Sequence, residues 1–130
     1  MSAATASPND AVRAIRALEA EFQRNANAGD ARALTEAFYA DDAVLLPPNT
    51  PQVNGKASIR DFWKAFLASG VSDVVLETGN VSSSGDLAYS VGKYGFIVAG
   101  VRQAGKYACV YRRQANGGYR AVVDGFNSNE

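Results

Sequence analysis

No histidine occurs anywhere in the 130 residues, and that absence excludes more chemistry than any motif in the chain establishes. Serine triads, the two-histidine iron triad and ordinary catalytic zinc sites all draw on imidazole. Any acid or base must therefore be Asp, Glu, Tyr or Lys. Cysteine is nearly absent too. Cys109 is the only one, which rules out an intrachain disulfide and, without histidine, a thiolate–imidazole pair. This usage fits a reducing, cytoplasmic setting. Neither sign of charge is in excess, with 13 basic against 13 acidic side chains and no run of like charge. The electrostatic footprint of a nucleic-acid or anionic-membrane binder is missing. No stretch approaches the roughly 18 apolar residues of a membrane span, and "MSAATASPND" lacks the basic and apolar regions of a secretion signal.

What is present reads as one domain, since a chain of this length buries about two thirds of its unfolded surface on folding. Ser7, Pro8 and Asp10 form a helix start, with a side-chain oxygen, a proline in the first turn and an acid near the positive dipole end. Val12, Ile15, Leu18, Phe22 and Ala26 follow at helical spacing, predicting a helix over 8–28 that stops at Gly29. Asp30 caps a shorter helix with Ala33, Leu34, Ala37 and Phe38 on one face, ending near Tyr39 or Ala40. "AVLL" reads as a brief strand running into a loop at Pro47 and Pro48. A third helix after Gly55 carries Ile59, Phe62, Trp63, Phe66 and Leu67, and Gly70 lies beyond its end.

From residue 73 the period changes to two. Strands are expected near 73–82, 86–98, 105–115 and 118–127, with turns at "SSSGD", around "AGVRQAG" and at "ANGG". Helices followed by a strand meander predict an α+β domain over 8–130, preceded by a disordered N-terminus over 1–7. No repeat or linker interrupts it.

With the elements in this order, "NAGDARALTEAFYADDAVLLPPNTPQVNGKASIRDFW" resembles the N-terminal signature of SnoaL-like proteins. These belong to the nuclear transport factor 2-like superfamily, which also contains ketosteroid isomerase. "GDLAYSVGKYGF" and "GKYACVYRRQANGGYRAVVDGFNSN" resemble the strand half of the family's small bacterial members, so the resemblance runs over roughly residues 10–128. It implies a cone-shaped fold in which three N-terminal helices pack on a strongly curved, mainly antiparallel sheet that encloses an apolar pocket, often in a homodimer. Relatives use that pocket for isomerisation, dehydration, epoxide opening and cyclisation, or for plain binding, so the fold constrains function weakly. Aligned on "ADDA", the place of the catalytic base of ketosteroid isomerase is held by Pro47, its oxyanion-donating tyrosine by Phe22, and its third-helix tyrosine by Trp63. These three departures argue against that enzyme's chemistry.

The acid pair Asp41 and Asp42 could be working carboxylates, but Asp at a helix-to-strand junction is better read as a turn former. Asp124 is the more interesting acid. In the last strand it alternates with Val122 and Phe126, so all three face the same way if no bulge intervenes. A carboxylate between apolar neighbours on a concave face suits proton transfer or ligand binding, and pairing with Arg112 or Arg113 is the bland alternative. Six tyrosines offer hydroxyls on apolar bodies suited to pocket walls. The expected lining is Phe22, Tyr39, Trp63, Tyr94, Tyr107 and Phe126, with Asp124 as candidate acid or base. Arg112 and Arg113 point to opposite faces, and Cys109 reads as a small buried apolar residue.

The expected function is binding of a small, mostly apolar molecule by a homodimer, without cofactor or metal, with isomerase, dehydratase or cyclase chemistry if the chain is an enzyme. A non-catalytic ligand-binding or protein-interaction module is the alternative. A cavity of roughly 300 Å³ or more with Asp124 at its wall favours ligand binding, whereas a cone filled by its own aromatics favours a structural role.

Overall fold

A computed structural model describes residues 8–130; the helix cap expected at Ser7 and the disorder expected over 1–7 lie outside the described residues. The chain runs through α1 (Pro8–Asn27), α2 (Ala31–Phe38), β1 (Tyr39–Leu46), β2 (Val53–Asn54) and α3 (Lys56–Ala68), then β3 (Ser72–Ser84), β4 (Leu87–Val98), β5 (Val101–Arg113) and β6 (Tyr119–Ser128). The strands form one sheet in the order β2-β1-β6-β5-β4-β3. Among the described strands only β1 against β6 is parallel. The three helices cover one face, making an α+β cone with an open sheet. Among the described residues no helix is long and apolar enough to cross a membrane.

Local chemistry explains most boundaries. Gly29 takes φ +70° just past α1, and the Asp30 carboxylate accepts from the Ala33 N–H at 2.9 Å to cap α2. Two boundaries differ from the sequence reading. The strand after α2 starts at Tyr39 rather than at Ala43, so Asp41 and Asp42 lie within β1, where its register against β6 shifts. Both are exposed. Asp41 pairs with Lys56 at 3.2 Å and Asp42 with Arg112 at 3.1 Å, contacts that contribute little at a solvated surface. The loop expected around "AGVRQAG" shrinks to Ala99 and Gly100, at φ +53° and +76°. Positive φ at both centres gives the twist that a two-residue hairpin needs, and Val101 onward pairs directly with β4.

Gly105 was read as the end of that loop, but close packing places it inside β5. The register sets Gly92 opposite Tyr107 and Tyr94 opposite Gly105, so each tyrosine ring lies across the other strand's glycine. A Cβ on Gly92 would sit 2.5 Å from the Glu77 carbonyl oxygen and against the Tyr107 ring, and one on Gly105 would collide with Tyr94 and the Asn127 carbonyl. Two glycines thus lay two tyrosines flat over the sheet.

Strand β3 is a sheet edge, and α1 closes it with polar side chains. The Asn27 amide donates to the Val74 carbonyl at 2.9 Å and accepts from the Val74 N–H at 2.7 Å. The Gln23 carbonyl oxygen accepts from the Leu76 N–H at 2.9 Å. Arg16 donates to the carbonyls of Thr78 and Gly79 at 3.3 and 3.1 Å. Backbone groups that would otherwise be open to pairing are satisfied within the chain.

Candidate functional site

Asp124 faces the interior because β6 changes phase. Tyr119 and Ala121 are buried at odd positions, yet Asp124 is buried at an even one. The register against β5 shifts between Val110 and Tyr111, leaving Val122 unpaired. This bulge turns Asp124 and Phe126 inward and leaves Val122 out of step with them, correcting the expectation that all three share a face. Asp124 is 6% exposed. Its Oδ2 accepts from the Tyr39 hydroxyl at 2.5 Å, its Oδ1 accepts from the Cys109 thiol at 3.1 Å, and the Trp63 indole N–H donates to the Tyr39 oxygen at 3.0 Å. The chain Trp63–Tyr39–Asp124–Cys109 joins α3, β1, β6 and β5. Arg112 pairs with Asp42 instead, and no ion pair among the described residues reaches Asp124.

A second buried carboxylate escaped the sequence reading. Glu19 is 1% exposed in the middle of α1. Thr78 and Ser90 donate to it at 2.6 Å each, and the Tyr107 and Tyr111 hydroxyls complete the set, two donors to each oxygen. Four hydroxyls from β3, β4 and β5 therefore converge on one helix side chain. The signal was present in the helical spacing: Ile15, Glu19, Phe22 and Ala26 form one row at intervals of 4, 3 and 4. A charge inside an apolar row marks a buried polar site when partners exist to satisfy it.

Burial raises the Asp124 carboxyl above its ordinary range, with the Tyr39 and Cys109 hydrogen bonds opposing the rise and the Glu19 charge adding to it. Burial, then the Asp124 charge, pushes Tyr39 and Cys109 upward. Burial likewise raises Tyr107, Tyr111 and Tyr94.

Both carboxylates reach the wall of a cavity between the helices and the concave sheet face, also lined by Phe22, Trp63, Phe66, Tyr94, Phe96, Tyr107, Cys109 and Phe126. Of the expected lining, Tyr39 alone stands back from it, fully buried behind Asp124. The cavity measures about 60 Å³, room for roughly four waters and well under the roughly 300 Å³ of an ordinary ligand pocket. Aromatic rings take up the difference, so the cone at rest is of the filled kind that favours a structural role, and a ligand would need its mouth to open. Trp63 stacks on Phe126 with centroids 5.8 Å apart, and Tyr94 meets Phe126 edge-on at 5.7 Å. Phe66 meets Phe96 edge-on at 5.2 Å. Phe66, Tyr94, Phe96 and Phe126 are half-buried and form the mouth. Among the described residues no group of three metal-ligating side chains is placed to hold an ion.

The helices over a curved sheet, with an aromatic interior, define a cone-shaped domain of the nuclear transport factor 2-like kind. More narrowly, the chain belongs to the SnoaL-like domain family, whose pattern matches residues 18–122. No curated protein matches the sequence. A ketosteroid isomerase-like protein from Erwinia carotovora atroseptica is 22% identical and superposes with a TM-score of 0.81, over 94% of this chain and 98% of that one. An NTF2-like protein with a cystatin-like fold from Novosphingobium aromaticivorans is 23% identical, with a TM-score of 0.77 over 94% and 84%. An NTF2-like protein of unknown function from Shewanella oneidensis is 16% identical, with a TM-score of 0.76 over 88% and 97%. At these identities the likeness shows the fold alone.

Proposed function

We propose that the chain binds a small, largely apolar molecule inside the cone, its one polar group held at Asp124. One observation carries this reading. A carboxyl 6% exposed, lining an aromatic cavity, has only Tyr39 and Cys109 as partners. Each oxygen accepts one hydrogen bond and keeps capacity for another. The chemistry proposed there is proton transfer with Asp124 as acid or base, its pKa raised by burial. The small free volume requires the half-buried mouth rings to turn aside as the ligand enters.

Asp124→Asn tests this reading, because Asn keeps an oxygen for Tyr39 and should leave the fold intact. Trp63, the only tryptophan, lines the cavity, so its fluorescence reports occupancy. Titration with cyclopentanol, whose hydroxyl can donate to Asp124, is expected to change Trp63 emission in the parent, and any turnover of cyclic hydroxy-ketones is expected to fall by orders of magnitude in Asp124→Asn. Unchanged turnover in that variant would remove Asp124 from the mechanism.

A second element of the proposal concerns assembly. Leu87, Tyr89 and Val91 stand 50%, 48% and 44% exposed along the outward face of β4, next to Arg112, Val110 and Ala108 of β5. We propose that a second copy of the chain covers this stripe, as exposed apolar patches rimmed by polar groups do in dimers. Val91→Asp is expected to give a monomer by sedimentation equilibrium. An unchanged oligomeric state would place the contact elsewhere.

A further inference from the structure

We infer that the polar group the cone selects is a protonated amine, so that the ligand is a small hydrophobic organic cation. The inference rests on the reading of the cavity as a ligand site and names the class it takes. The wall holds two carboxyl groups, Asp124 and Glu19, and no Lys or Arg. Glu19 is saturated by its four hydroxyl donors, so its role toward a ligand is through charge. Asp124, with one donor to each oxygen, has capacity left to accept from a ligand N–H. An anionic ligand would meet both carboxyl groups without a compensating cation, at the cost that attends burial of like charges. An ammonium meets opposite charge and hydrogen-bond acceptors together.

The rest of the lining points the same way. Trp63, Phe126, Tyr94 and Phe66 present ring faces and edges around the space beside Asp124, and a cation over such faces is attracted by their quadrupoles. The groups that face Asp124 are the Tyr39 hydroxyl from β1, the Cys109 thiol from β5 and, at longer range, the Glu19 carboxylate from α1. None supplies a positive charge. An ammonium beside Asp124 would supply the positive charge that the wall lacks.

The test compares three probes of one shape at pH 7: cyclopentylamine, which is protonated there, cyclopentanol, and cyclopentanecarboxylate. Trp63 fluorescence and amide chemical shifts of the cavity residues report binding. The expected order is amine, then alcohol, then carboxylate, with the amine ahead of the alcohol by at least about tenfold. Asp124→Asn is expected to erase that lead while leaving the alcohol within about threefold. Alcohol binding as tight as or tighter than the amine, or carboxylate binding tightest, overturns the cation assignment and leaves the cavity as a site for neutral or acidic molecules. If none of the three perturbs the cavity residues, the ligand-site reading falls with it. The ranking in the parent protein decides the matter even if the variant does not fold.

Discussion

Glu19→Ala is expected to lose about 3–5 kcal/mol of stability, because each buried donor left without its acceptor loses about 1–3 kcal/mol. That is a large part of the roughly 5–15 kcal/mol that holds a domain together. The substitution removes the shared acceptor of four hydroxyls, on Thr78, Ser90, Tyr107 and Tyr111, of which Ser90 and Tyr111 keep each other at 3.2 Å. It also unfastens α1 from three strands at once. Glu19→Gln should lose less, about 1–3 kcal/mol, because one carbonyl oxygen remains while the new NH₂ faces two donors. Urea unfolding followed by circular dichroism measures both. A loss under about 1 kcal/mol in the alanine variant would mean that the network is not a support of the fold.

Alkali is expected to have a comparable effect. Tyr39, Tyr111 and Cys109 are buried and held protonated well above their ordinary ranges, in each case first by burial. The unfolded chain releases the same protons near pH 8.5 for the thiol and near pH 10 for the phenols, at about their reference values. Each folded-state pKa is thus raised above its unfolded value, so the stability is fully present below the unfolded values and is lost as pH rises from them toward the folded ones. Each group contributes a slope of at most about 1.4 kcal/mol per pH unit once the unfolded chain ionises. Three together should move the urea midpoint steeply downward between about pH 9 and 11. Asp124, also raised, acts in the same direction at acid pH: it favours the folded chain below about pH 3.9 and loses that contribution as pH rises. A stability profile that stays flat above pH 9 would contradict the buried, protonated state of these side chains.

Much of this architecture is legible along the chain. The row from Ile15 to Ala26, the Asp30 cap and the glycines at 29, 55 and 70 set the helices, because helix signals are local. The change of period near residue 73 marks the sheet. What is not legible depends on pairing. The Val122 bulge that turns Asp124 inward is a property of β6 against β5, and alternation read along one strand would also have admitted the opposite face. The two-residue turn at Ala99–Gly100 was hidden by Gly105, which serves Tyr94 rather than a loop. Glu19 lies in plain view in an apolar row, but its partners sit 59–92 residues away, and only the folded sheet assembles them. The same holds for Arg16, Gln23 and Asn27, which look like a solvated helix face and instead close the edge of β3.

The interior of the cone decides the account. A crystal structure of the protein grown with cyclopentanol tests it most directly, free of any assumption about charge or turnover. The account predicts ring-shaped density bounded by Trp63, Tyr94 and Phe126, the mouth rings turned aside, and the hydroxyl within hydrogen-bond reach of Asp124. Aromatic rings in mutual contact at saturating alcohol, with no density between them and Asp124 bonded to Tyr39 and Cys109 alone, would contradict it.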